Sequence, residues 1–148
     1  GFIGSAVSIR LLDRGDDVVG VDNHSDYYDP DLKEARLARH ANHGSYSHFR
    51  VDIENKEAIE TLFKEQQFDA VVHLAAQAGV RYSIENPLAY IHTNLVGFGH
   101  ILEGCRHNDI SHLVYASSSS VYGNSSKVQI LFLCPSTCFQ KTITGRSL

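Results

Sequence analysis

The sequence predicts an α/β fold: part of a doubly wound parallel sheet with helices on its faces, lacking the first strand. Three observations predict it. Helical periods and short β-branched runs alternate along the chain, the order of a parallel sheet crossed over by helices. The run "AVVHLA" (Ala70–Ala75) is apolar almost without interruption, as a strand buried on both faces would be. The chain opens on "GFIG" and passes straight into a helical pattern, with no strand before it.

Each element has its own local reason. Ile3, Val7 and Leu11 recur at helical spacing, and Gly15 is placed to end that helix in the left-handed conformation. "VVGVD" (Val18–Asp22) follows as a short strand. In "DPDLKEARLARH" Asp29 stands as N-cap and Pro30 at the first helical position, where its missing N–H costs nothing. "SHFRVDI" (Ser47–Ile53) reads as strand, "NKEAIETLFKEQ" (Asn55–Gln66) as helix and "DAVVHLAA" (Asp69–Ala76) as strand. One long helix is expected from Pro87 to about Asn108, then a last strand, "HLVYASS" (His112–Ser118). In such a sheet the first strand is central. Without it, the strands at Val18 and Ala70 have no shared neighbour. Each buried backbone group left unpaired costs ~1–3 kcal/mol, against a domain's net stability of ~5–15 kcal/mol.

Composition narrows the function classes. The 148 residues carry 13 basic and 17 acidic side chains, a net charge of −4, with the basic ones scattered. That argues against a nucleic-acid partner. No apolar run approaches the ~20 residues that span a bilayer. The three cysteines, Cys105, Cys134 and Cys138, match no zinc or disulfide framework, and reduced thiols in a cytoplasmic setting are expected. The nine histidines are dispersed without a His-x-x-x-His pair, so no metal site is expected. Composition shifts after Lys127: residues 128–148 hold no Asp or Glu and two of the three cysteines. We therefore divide the chain into residues 1–127 and a divergent tail, 128–148. Either the chain really ends this way, or its reading frame shifted after Lys127.

The opening segment carries chemistry. Gly1 and Gly4, with Phe2 and Ile3 between them, start a helix whose free N–H groups and dipole favour an anion such as a pyrophosphate. Eighteen residues past Gly4 (22 − 4), Asp22 ends the next strand, where a carboxylate accepts hydrogen bonds from ribose hydroxyls. The same carboxylate repels a 2′-phosphate, which favours NAD over NADP. On residue type alone, Asp52 reads equally as a solvated strand-end carboxylate and Asn94 as an ordinary polar helix residue. Arg81 reads equally as a surface arginine, and Ser117–Ser120 as a loop.

Taken together, "GFIG", "VDN", "VDI", "HLAAQAGVRYS", "TNLVGF" and "SSSSVYG" resemble the extended short-chain dehydrogenase/reductases. More narrowly, they resemble the nucleotide-sugar epimerases of the UDP-glucuronate 4-epimerase type, over residues 1 to about 127. The resemblance implies a Rossmann-type sheet, NAD as cofactor, a UDP-sugar substrate and a homodimer. Gly1 and Gly4 match the last two glycines of the family's motif. Asp22 and Asn23 match the ribose side, and Asp52 and Ile53 the adenine side. Leu74, Ala75, Ala76 and Gln77 match the loop along the nicotinamide. Asn94 matches a supporting asparagine on the cofactor side, and Ser117 falls on that side too. Ser118 matches the catalytic Ser/Thr that bonds the sugar hydroxyl being oxidised. Ser118 and Ser119 face the substrate, and Arg81 lies near its anionic groups. The homodimer helix corresponds to the segment after Pro87, leaving Leu95, Phe98 and Leu102 as interface or core.

The serines also separate chemistries. Relatives that eliminate water usually carry Asp-Glu before "VYG", and decarboxylating ones often a Glu; here Ser119 and Ser120 stand there. Serine is no acid or base near neutral pH, so the pattern favours epimerisation: oxidation and re-reduction at one carbon, C4. The family's base is the tyrosine of a Tyr-x-x-x-Lys pair. None of the seven tyrosines here has a lysine four residues on; Tyr46 has Arg50 and Tyr122 has Ser126. The 148 residues thus hold no such base, and no substrate domain is expected within them. A non-catalytic nucleotide-binding fragment is the competing expectation, with a sugar-nucleotide dehydratase or decarboxylase as a further one.

Overall fold

A computed structural model describes residues 1–117. Ser118, Ser119 and the tail 128–148 lie outside the described residues. Helix α1 (Phe2–Arg14) leads to strand β1 (Val18–Val21), α2 (Pro30–Ala38) and β2 (Tyr46–Phe49). Then come α3 (Lys56–Gln66), β3 (Ala70–His73), α4 (Val80–Glu85) and α5 (Pro87–Ile91). A π-helical segment (His92–Gly97), α6 (Phe98–His107) and β4 (His112–Tyr115) complete the order.

The start and stop signals act where the sequence puts them. Gly15 ends α1 at φ 97, its N–H turned back onto Leu12 O. Asp29 caps α2 by accepting from the Asp31 N–H, 3.0 Å away, with Pro30 in the first turn. Asn55 caps α3 by accepting from the Ala58 N–H at 3.0 Å.

β1 pairs β2 and β3 pairs β4, both parallel, with Val18 opposite Tyr46 and Ala70 opposite His112. The two pairs share no ladder. This is a partial Rossmann-type sheet whose middle strand is not among the described residues, as the missing shared neighbour implied. Two expectations change. β3 is not buried on both faces: Ala70 and Val72 are exposed, because the next strand that would flank them is not among the described residues. The long helix after Pro87 is interrupted, the π segment inserting a wider turn between α5 and α6. β1, β2 and β3 also end short of the stretches that the sequence suggests, and β2 begins one residue earlier, at Tyr46.

The core sits where α3 crosses α6. Ile59 and Phe63 of α3 meet Ile101 and Cys105 of α6, with Ile53, Ile110 and Leu113 closing around them. Gly104 permits this approach: a Cβ there would stand 2.9 Å from the Phe63 ring. Among the described residues no helix is long and apolar enough to cross a membrane. Gly104→Ala should therefore lower unfolding stability by ~1–3 kcal/mol, the range for overpacking a tight seam. Urea melts of the two chains measure this directly.

Candidate functional site

β1 and β2 run parallel, as do β3 and β4, so within each pair the carboxyl ends lie together, where α/β sheets of this kind take ligands. The start of α1 lies beside the end of β1. Its first helical bond runs from the Ser5 N–H to Gly1 O, so the N–H groups before it point outward. No side chain caps this end, and no acidic residue occupies its first turn. A Cβ on Gly1 or Gly4 would meet nothing within 4 Å, so the space before the helix is open. Phe2 and Ile3 are largely exposed, with the Arg36 guanidinium over the Phe2 ring.

Asp22 stands directly in front of that helix end. Its Oδ2 lies 3.1 Å from the Gly1 nitrogen. Its Oδ1 accepts from the His24 N–H at 2.8 Å and lies 3.5 Å from Lys33 Nζ. Burial pushes the carboxyl up; hydrogen bonds from the His24 N–H and the Gly1 nitrogen, with Lys33 nearby, outweigh it and hold it below the usual carboxylate range. Next to it, Asn23 Nδ2 donates to Asp52 Oδ2 at 2.9 Å, joining the ends of β1 and β2. Asp52 also accepts the Glu54 N–H at 2.9 Å. The Ile53 side chain belongs to the core, and its carbonyl lies 2.8 Å from His100 Nδ1.

The second half of the edge is built from β3 and the π segment. Leu74 to Gln77 leave β3 as a loop with Ala75 and Ala76 exposed. Asn94 holds that loop from both sides: its Oδ1 accepts from the Gln77 N–H at 2.8 Å and its Nδ2 donates to Gln77 O at 3.0 Å. Both polar ends of the amide are thereby engaged, which makes Asn94 a brace for the loop. A π turn is what presents it, and such turns cluster at functional sites. The Ala116 N–H donates to His73 O at 3.1 Å, so Ser117 follows beside this loop. Arg81 lies exposed on α4.

Four features escape a reading of the sequence. Lys33 reaches Asp22 with its side chain largely covered; its position four residues past the Asp29 cap was the available signal. His24 and His48 meet under the Asp22 loop. Tyr27 of that loop packs on Tyr82 of α4, ring centres 5.0 Å apart, tying the two halves of the edge together. His73, stacked on Phe98, ends β3 just before Leu74; burial pushes its imidazole down, toward the neutral form. Among the described residues no cluster of His, Cys, Asp or Glu could hold a metal ion.

Replacing Asn94 by Ala strips both bonds from the Gln77 peptide. Loss of about 1.4 kcal/mol there corresponds to roughly tenfold faster hydrogen exchange of the Gln77 amide. NMR exchange rates that stay unchanged would remove the bracing role.

Comparison with known proteins agrees with this architecture. A sequence model of the GDP-mannose 4,6 dehydratase family matches residues 1–132. UDP-glucuronate 4-epimerase 4 of Arabidopsis thaliana is 50% identical over 129 residues, covering 86% of this chain and 29% of the relative. Protein CapI of Staphylococcus aureus is 51% identical over 128 residues, covering 86% of this chain and 38% of the relative. The chain thus spans about a third of the length of these relatives. The solved structure of the Thermus thermophilus UDP-glucose 4-epimerase in complex with NAD aligns with a TM-score of 0.67 and 36% identity, over 80% of this chain and 35% of that one. With one family model spanning all but the last 16 residues (148 − 132), the chain belongs to the GDP-mannose 4,6 dehydratase family of nucleotide-sugar enzymes.

Proposed function

We propose that this chain is the NAD-binding part of an NAD-dependent nucleotide-sugar 4-epimerase acting on a UDP-hexuronate, UDP-glucuronate to UDP-galacturonate. The observation that carries the reading is the carboxyl-edge cluster: an uncapped helix start with Asp22 3.1 Å away and the Asn23–Asp52 pair beside it. The donor set fits the dinucleotide. The open space over Gly1 and Gly4 suits a pyrophosphate against the N–H groups of Phe2 and Ile3. Asp22 and Asn23 take the adenosine ribose, with the His24 N–H on the Asp22 carboxylate and Lys33 beside it. Asp52 and the Ile53 backbone take the adenine. The small side chains of Ala75 and Ala76 allow the nicotinamide to lie close to the Leu74–Gln77 loop, which Asn94 holds.

Bound NAD would supply the hydride acceptor for a sugar C4–H and return that hydride to the opposite face. The protein's own share is orientation and proton handling. On this reading Ser118 would bond the reacting sugar hydroxyl, Ser117 would serve the cofactor side, and Ser119 and Arg81 the UDP-sugar. Dehydration or decarboxylation is disfavoured because Ser119 and Ser120 stand where those reactions need carboxyl groups.

A second reading is a nucleotide-binding chain without catalysis. One observation favours it for these 148 residues taken alone: none of the tyrosines is followed by lysine at the fourth position. An unperturbed tyrosine, with a pKa near ~10, is a poor base at neutral pH.

A homodimer is supported by the helices after Pro87. Leu88, Ile91, Leu95 and Leu102 are exposed at helical spacing, while Phe98 turns inward against His73 and the core. Of the three side chains left open by the sequence, Leu95 and Leu102 are thus the interface candidates.

Three outcomes test these readings. Asp22→Ala should raise the NAD dissociation constant at least about tenfold, the worth of one to two charge-assisted hydrogen bonds; an unchanged constant removes the ribose role. The 148-residue chain should show no conversion of UDP-glucuronate to UDP-galacturonate, and any measured turnover sinks the non-catalytic reading. Leu95→Glu with Leu102→Glu should move the sedimentation coefficient from dimer to monomer.

A further inference from the structure

The loop bearing Asp22 and Asn23 is held from beneath by a line of polar rings. His24 turns back at φ 53, and its N–H is the donor to Asp22 Oδ1. Its imidazole is almost wholly buried. Nε2 of that ring lies 2.8 Å from Nε2 of His48 on β2. Nδ1 lies 2.9 Å from Glu34 Oε1 on α2, off the line of a hydrogen bond; Arg50 reaches the same oxygen at 2.9 Å. The other nitrogen of His48, Nδ1, lies 3.2 Å from Tyr46 Oη. Gly20 of β1 makes room for that hydroxyl, since a Cβ there would overlap it.

Elementary bonding fixes the proton order. The Glu34 contact is favourable only when His24 Nδ1 carries a proton. In a neutral ring Nε2 is then an acceptor, so His48 Nε2–H donates to it. His48 Nδ1 in turn accepts from the Tyr46 O–H. One added proton merely reverses the direction of the line. A second sets N–H against N–H at 2.8 Å, and the rings must part.

We propose that the His24–His48 pair is a positioning latch for the dinucleotide site, fastening the Asp22–Asn23 loop to β2 and α2, and that it opens in acid, releasing NAD. The proposal rests on the NAD reading of this edge. The groups facing the latch come from every element around it: Asp22 on its own loop, Glu34 and, through Asp22, Lys33 on α2, and Tyr46 and Arg50 at β2. His40 stands behind the Tyr46 ring, 4.6 Å between centres, also pushed down by burial. Burial lowers the proton affinity of His48, helped by His24 and Arg50 and opposed by Asp22 and Glu34. The sign follows. With the folded value below the ordinary ~6.5, the unfolded or opened state takes its proton first as pH falls. The latch is therefore at full strength above about 6.5 and weakens progressively below it.

The test is the NAD dissociation constant of this chain between about pH 8 and pH 5, beside a His48→Gln chain whose amide does not titrate. The unmodified chain should lose about tenfold in affinity across the range, the worth of one net hydrogen bond lost from the loop. The variant should bind more loosely at the alkaline end yet hold that value to the acid end. Equal pH slopes in the two chains overturn the latch and leave the NAD reading standing. No binding by the unmodified chain at the alkaline end overturns the NAD reading, and the latch with it. Ring-nitrogen NMR of the unmodified chain provides a second, variant-free check. Two coupled steps for His24 and His48 support the shared line, and two independent single-proton curves overturn it.

Discussion

The described structure depends on the seam between α3 and α6. Two strands alone are marginal in water, and here two such pairs share no common ladder. What sets one pair against the other is helix packing: Ile59 and Phe63 against Ile101 and Cys105, with the Phe63 ring seated on Gly104. Ile53 joins that seam as the residue after Asp52, so the loop after β2 is anchored in the core. Thr93 of the π segment adds a hydrogen bond to Glu54 at 2.5 Å. Position at the carboxyl edge is thereby inherited from burial beneath it.

Residues at that edge divide by whether their polar atoms remain available. Asp22 keeps a charge despite its partial burial, because the His24 N–H, the Gly1 nitrogen and Lys33 surround it. Asn94 has both polar ends committed to one peptide. Cys105, beneath, has its thiol pushed up by burial, which keeps it protonated and inert at neutral pH. Contact chemistry thus belongs to the first group, and the shape of the surface to the other two.

Much of this was legible in the sequence, for local reasons. Gly15, Asp29 with Pro30, and Asn55 mark helix ends because caps act within a few residues. The glycines of "GFIG" and the acid closing "VVGVD" meet in space because a helix and a following parallel strand must bring those two ends to the same edge. What was not legible depends on contacts between distant segments. Nothing in the run "AVVHLA" reveals that Val72 would be exposed, since burial of a strand is decided by its neighbours. His24 and His48, 24 residues apart, look like unrelated members of a dispersed set until β1 and β2 pair and α2 folds over them. The π turn escaped for a different reason: apolar spacing from Leu88 to Leu102 tolerates one extra residue, and only the hydrogen-bond pattern exposes it.

That turn has a consequence for how this surface can change. Each residue of an α-helix advances about 100° around the axis. The wider π turn spreads its extra residue over nearly the same rotation, so the helix faces before and after it keep their phase. Removing one residue between His92 and Gly97 would leave α5 and α6 in nearly the same register and erase the turn that presents Asn94. Removing one residue from α6 instead would turn the segments on either side of the cut against each other by about that angle.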